Sequence, residues 1–214
     1  MFILALDTTT AAGSVALADQ AEVLEIASLD PSRPVATRVP GDLMALLERH
    51  DVALTSIDLF AVATGPGSFT GLRIGIATMQ GLAFARQRPL IGVSAFDALA
   101  SFVDAPHVSV WIDAWRGEIY AAEYENRVQL WSPIVGSPDQ VLASTCRRDA
   151  IFIGDGAVRY RERLPRVVEP TPLIAGAVAT LARTRADAGE RPPPHAIRPL
   201  YVRRPDAELA KDRR

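Results

Sequence analysis

The chain has 214 residues, 49% of them hydrophobic and 22% charged, an ordinary globular composition with length for one domain or two joined lobes. Its formal net charge of −2 excludes a basic excess that would drive binding to nucleic acid, so any RNA contact would fall mainly to a partner. A single cysteine, Cys146, excludes a disulfide within the chain and a multi-cysteine zinc cluster, and no apolar run reaches the length of a membrane span.

The pattern of elements begins with a short buried strand, Phe2 to Leu6, too short for a signal-peptide core and ending at Asp7. Together with the lone thiol it points to a reduced, cytoplasmic setting. A turn from Asp7 to Gly13 leads into strands Ser14–Ala18 and Glu22–Ser28, joined at Asp19-Gln20. Pro31 to Pro40 reads as a proline-bearing loop, and Leu43, Leu46, Leu47 and Val52 fit one face of a helix. A buried strand, Leu59–Ala63, precedes a long helix from about Thr70 to Arg86, then a strand, Leu90–Val93, and a helix beginning at Ser94.

The second half starts over. Val108–Ile112 is a strand ending in Asp113, a turn holds Gly117, and Glu118–Tyr124 and Val128–Val135 read as strands. A short helix begins near Pro138, Ile151–Ile153 is a strand, and Leu173–Arg185 is an alanine-rich helix before a stiff Pro192–Pro194 linker and a tail, Ile197–Val202. Both halves run strand, Asp, turn, Gly, strand, strand, helix. The plan is a duplicated βββαβα unit, an α/β fold in two lobes, divided as 1–103 and 104–214. Ligands in such units sit at the carboxyl ends of strands, where Asp7 and Asp113 both lie.

Four features carry chemistry. Gly65-Pro66-Gly67-Ser68-Phe69-Thr70-Gly71-Leu72-Arg73-Ile74-Gly75 follows a strand and opens a helix, with Ser68 and Thr70 both suited to cap it. Its amides would suit an anion such as phosphate, or it is simply a tight, well-capped turn; it is neither a Walker loop nor a dinucleotide fingerprint. On the helix itself, Gly71, Gly75, Thr78, Gly81, Leu82 and Ala85 share one side and Leu72, Ile76, Met79 and Ala83 a neighbouring side. Such a helix is covered on both sides, either by its own lobe or by a second subunit along the small-residue face. Asp7, Thr8 and Thr9 have the composition of a phosphate- or metal-facing hairpin, or of a turn that satisfies its own backbone. Asp113, Arg116 and Glu118, with Gly117 between them, make either an arginine–carboxylate cluster or a solvated hairpin tip. His50, His107 and His195 lie far apart, there is no GxSxG, and Cys146 has no evident partner base, so no catalytic constellation emerges.

The first strand with Asp7-Thr8-Thr9-Thr10 and the Gly65–Gly75 stretch strongly resemble the TsaB family, also called YeaZ. The likeness extends to Asp113-Ala114-Trp115-Arg116-Gly117-Glu118-Ile119-Tyr120, to Gly154-Asp155-Gly156-Ala157 and to Pro199-Leu200-Tyr201-Val202-Arg203. It implies the actin-like ATPase and sugar-kinase type of fold. It also implies a non-catalytic subunit supporting transfer of threonylcarbamoyl to the adenine next to the tRNA anticodon. The partners it implies are a catalytic TsaD-like relative and a TsaE-like ATPase, with a homodimer when alone, contact with tRNA only indirect and none with a membrane. No cofactor is required on this reading, while ATP or ADP with magnesium at a shared subunit interface stays open, with Asp7, Thr8, Thr9, Ser68, Thr70 and Asp113 as its candidate residues. Family members often carry a His-Ser segment before the first long helix, where this chain has Ala36-Thr37-Arg38-Val39-Pro40. The competing reading is a stand-alone ATP-dependent phosphotransferase of the same superfamily.

Overall fold

Strand β1 (Phe2–Asp7) is apolar at every position before its terminal aspartate, so both of its faces must be covered. In the computed structural model, which describes residues 1–10, 13–30, 32–144, 147, 149–164 and 171–203, β1 is the centre of a five-stranded sheet. Cys146 and the Lys211–Arg214 tail lie outside the described residues. β2 (Ser14–Ala18) and β3 (Val23–Ser28) run antiparallel on one side of β1. β4 (Ile57–Ala63) and β5 (Leu90–Val93) run parallel on the other, giving the order β3-β2-β1-β4-β5. Between them come α1 (Val35–Arg49) and α2 (Phe69–Arg86), and after β5 comes α3 (Ala95–Ala100).

Side chains alternate across a strand, so Leu4, Leu6, Leu17, Phe60 and Val62 fall on one sheet face. There they meet Leu43, Leu46 and Leu47 of α1 and Ile76, Met79 and Ala83 of α2. The C-terminal end of α1 is tied to β3, where Arg49 and His50 both reach Glu25. The Arg49 bonds hold the Glu25 carboxyl below its ordinary range.

The second unit repeats the plan with β6 (His107–Asp113), β7 (Ile119–Glu125), β8 (Val128–Gln129), β9 (Ile134–Gly136), α4 (Pro138–Ser144), β10 (Ile151–Ile153) and α5 (Asp155–Arg159). β6 pairs antiparallel with β7 and parallel with β10, as β1 does with β2 and β4. The small core here centres on Trp111, packed edge-on to Phe152.

The chain then turns back. Helix α6 (Ala175–Asp187) packs on β1, β2, β4 and β5 of the first sheet. Its buried residues are Ala175, Gly176, Val178, Ala179, Ala182 and Ala186, small enough for the helix backbone to approach the sheet closely. Ser14 Oγ accepts from the Ala175 N–H, and Arg185 bridges to the Gly92 carbonyl and Asp97.

Three expectations need correction. Contacts divide the chain into 1–98 with 172–199, and 99–171 with 200–214, rather than at 103/104, because α6 returns to cover the first sheet. The Pro31–Pro40 loop is helical from Val35 on, so the Ala36–Pro40 segment lies inside the first long helix rather than before it. Pro40 removes an i→i−4 bond at a cost of roughly 3 kcal/mol, and burial of Val39, Leu43, Leu46 and Leu47 on the same helix offsets that. The Val128–Val135 strand is split into β8 and β9, and Pro133, lacking an N–H, lies in the gap. Among the described residues no helix is long and apolar enough to cross a membrane.

Because α6 covers one face of the first sheet, a chain ending at residue 171 should lose cooperative unfolding and aggregate, as followed by circular dichroism and light scattering. Cooperative melting at the wild-type temperature would contradict this assignment of α6.

Candidate functional site

The first unit concentrates its polar groups where β1 ends and α2 begins. Asp7, Thr8 and Thr9 are at most 3% exposed. Asp7 Oδ1 accepts from the Thr9 N–H at 2.7 Å and from the Thr9 hydroxyl at 2.6 Å, the geometry of an Asx turn. Thr8 Oγ1 donates to the Gly71 carbonyl at 2.8 Å, and the Ser68 N–H donates to the Thr9 carbonyl at 2.8 Å. Ser68 caps α2 by accepting from the Gly71 N–H at 3.2 Å, while Thr70 lies exposed in the first turn. Gly65 has φ 99°, a left-handed value that favours glycine, and its carbonyl accepts from the Ala95 N–H.

The glycines explain the closeness of this junction. A Cβ on Gly67 would strike the Thr9 carbonyl, one on Gly71 the Thr8 carbonyl, and one on Gly75 the Thr8 hydroxyl. The small-residue face read as a single surface is therefore divided. Gly71 and Gly75 are buried against β1's own hairpin, and Leu82 packs on the core. Gly81 and Ala85 are exposed, and a Cβ on Gly81 would meet nothing within 4 Å. Thr78 is half-buried between the two sets. The outward stripe of α2 is Thr70, Arg73, Ala77, Gly81 and Phe84, at i, i+3, i+7, i+11 and i+14. Phe84 is 79% exposed, and Arg73 stacks over the half-exposed Phe69 ring at 4.0 Å. Phe84 and Ala77 were missed in the sequence because they lie off the glycine row.

In the second unit, Asp113 Oδ1 accepts from the Trp115 N–H at 3.1 Å and Oδ2 from Arg159 at 2.9 Å. The Asp113 N–H donates to Asp155 Oδ1 at 2.9 Å. Glu118 is bonded by Arg203, which also donates to the Ala114 carbonyl. An arginine–carboxylate cluster is present, then, with these bonds made by Arg159 and Arg203; Arg116 lies exposed beside Trp115 and Gly117, all three at positive φ. Arg203 was legible as part of the tail motif; nothing local in the sequence marked Arg159. Gly154 and Gly156 let the Asp155 turn lie against the Trp111–Asp113 backbone. Burial raises the Asp155 carboxyl above its ordinary value, against bonds from the Asp113 and Gly156 N–H groups that lower it.

The histidines stay apart. His50 meets Glu25, His107 lies between Glu125 and Asp149, and His195 is exposed. Among the described residues no cluster of three metal-ligating side chains occurs.

Residues 32–144 match the family model of the tRNA N6-adenosine threonylcarbamoyltransferase TsaD. The chain is 42% identical over 129 residues to the tRNA threonylcarbamoyladenosine biosynthesis protein TsaB of Escherichia coli, covering 58% of this chain and 55% of that protein, just over half of its length. It is 32% identical to the TsaB of Haemophilus influenzae, covering 75% of this chain and 74% of that protein. The solved structure of YeaZ from Pseudomonas aeruginosa superposes with a TM-score of 0.78 at 33% identity, over 94% of this chain and 99% of that one. The fold is thus the two-lobed α/β fold of the actin-like ATPase and sugar-kinase type.

Gly71→Ala should destabilise the protein by about 1–3 kcal/mol, since overpacking against a rigid carbonyl outweighs a propensity gain of at most about 1 kcal/mol. Gly81→Ala, in open space, should stabilise by up to about 1 kcal/mol. Urea denaturation distinguishes the two, and equal effects would sink the division of the helix face. For Asp155, a raised folded pKa stabilises the protonated form: the contribution is full below the unfolded value and lost as pH rises through the folded one. Asp155→Asn should therefore raise the urea midpoint at about pH 7 and leave it near wild type at about pH 3. A midpoint lowered equally at both would show that the carboxylate charge is not what strains this site.

Proposed function

The chain belongs to the TsaB (YeaZ) family, and on that premise we propose that it serves threonylcarbamoyladenosine formation in tRNA as a non-catalytic subunit that docks on the catalytic threonylcarbamoyltransferase. The observation that carries this reading is the two-sided use of α2. Its inner glycines are consumed by Thr8, yet past Arg73 its outer stripe is small and apolar at Ala77 and Gly81, ending in a phenylalanine 79% exposed. A single chain gains nothing from that stripe, while a second subunit gains apolar burial of about 25 cal/mol per Å². The occupant is the catalytic relative because α1 and α2 both lie within the stretch that matches its own family model. Two related domains can meet through equivalent helices in a pseudo-symmetric pair, and two copies of this chain can do so when alone.

On this reading the protein works in the cytoplasm with a TsaE-like ATPase as a further partner, and tRNA contacts fall mainly to the catalytic subunit. The buried, internally bonded Asp7, Thr8 and Thr9 support a structural role for the hairpin rather than phosphotransfer.

The reconstituted reaction tests this. Threonylcarbamoyl transfer to tRNA should be stimulated by the protein and lost with Ala77→Arg, which places a charge on the exposed stripe without touching the core. The protein alone should turn over no ATP. ATP turnover alone, with no effect on tRNA modification, would establish the phosphotransferase instead.

A further inference from the structure

At its C-terminal end the outward stripe of α2 runs into a groove within the first unit. The helix stops because Gln87 adopts φ 52°, with the Gln87 N–H on the Phe84 carbonyl and the Arg88 N–H on the Ala83 carbonyl. Pro89 then starts the run into β5. The facing wall is the segment after α6, Arg191 to Pro194, pinned to α2 by Gln80, whose amide donates to the Pro194 and Ile197 carbonyls at 2.9 and 3.1 Å. Between these walls lies an open groove of ≈ 610 Å³, lined in part by Phe84, Pro89, Pro192 and Pro194 and by the side chains of Arg88 and Arg191.

The lining holds two guanidinium groups and no carboxylate. Arg191 caps the Ala186 and Glu190 carbonyls at the end of α6, and among the described residues Arg88 makes a long bridge to Asp58, at 3.6 Å, so both keep donors for an incoming anion. The apolar part is rigid, since proline loses little entropy on being covered. A phenyl ring, three prolines and two arginines complement an extended peptide that offers an apolar side chain beside an aspartate or glutamate.

We propose that this groove receives an acidic, apolar segment of the docked catalytic subunit, making it the polar anchor of the α2 interface. The assignment rests on the docking reading above, with Phe84 shared by stripe and groove. Charge at this edge sets specificity and the salt dependence of binding, while the apolar stripe supplies most of the buried area.

The test uses the threonylcarbamoyltransferase encoded in the same genome, with binding followed by calorimetry at low and high salt. The Arg88→Glu, Arg191→Glu double variant should keep the wild-type circular dichroism and cooperative melting and bind at least roughly ten-fold more weakly at low salt. A photo-crosslinker in place of Phe84 should capture a transferase peptide that carries an acidic residue. If the double variant binds like wild type while Ala77→Arg does not, the groove assignment falls and the docking reading stands. If the wild-type protein fails to bind the transferase, both fall. Crosslinking to tRNA in the assembled system, or to a peptide with no acidic residue, would overturn the assignment of an acidic protein segment.

Discussion

Helix α2 approaches the β1–β2 hairpin so closely that Thr8 occupies the space where side chains on residues 71 and 75 would be. One hydroxyl, donating to the Gly71 carbonyl, and one amide, from Ser68 to the Thr9 carbonyl, lock the carboxyl end of β1 to the start of α2. Much else in the first unit depends on this junction. It fixes the rotation of α2 about its axis, which sends Ile76, Met79 and Ala83 into the core and leaves Ala77, Gly81 and Phe84 outward. It also engages the Asp7, Thr8, Thr9 and Ser68 side chains in bonds within the first unit. The buried hydroxyls are satisfied within the protein, so the junction is stiff.

The two units share strand order and pairing sense but differ in how they secure the equivalent turn. In the first, glycines on the helix accept a threonine hairpin. In the second, the close approach is between the Asp155 turn and the β6 backbone, and the hairpin after β6 is held by ion pairs from Arg159 and Arg203. A duplicated plan thus uses backbone proximity in both units and adds ion pairs in the second. The charged version leaves a carboxyl buried enough for its ionisation to work against the fold.

Much of this was legible in the residues. Apolar runs located β1, β4, β5 and β6 nearly to the residue, because strands with both faces buried carry few polar side chains. Ser68 was readable, alongside Thr70, as a candidate cap of α2, and it is the one that caps it. The glycines were legible as a close-approach surface, but not what approached them, because periodicity reports a face and not its neighbour. Pro40 misled, since a local rule against helical proline yields when four apolar residues on the same helix are buried. The division into 1–103 and 104–214 failed because a sequence read in order cannot reveal that α6 returns to the first sheet.

That return gives the chain a nested topology, with the second unit inserted between α3 and the helix that completes the first. During synthesis the first sheet emerges early, but one of its faces stays uncovered until the residues up to Asp187 have left the ribosome. At ordinary elongation rates that interval is on the order of 10 s, long compared with the microseconds to milliseconds in which strands and helices form. The nascent chain therefore carries a bare apolar sheet through the whole making of its second half. That face carries Ile3, Ala5, Ala16, Leu59, Ala61 and Ile91, an apolar surface open to other nascent chains until α6 closes it.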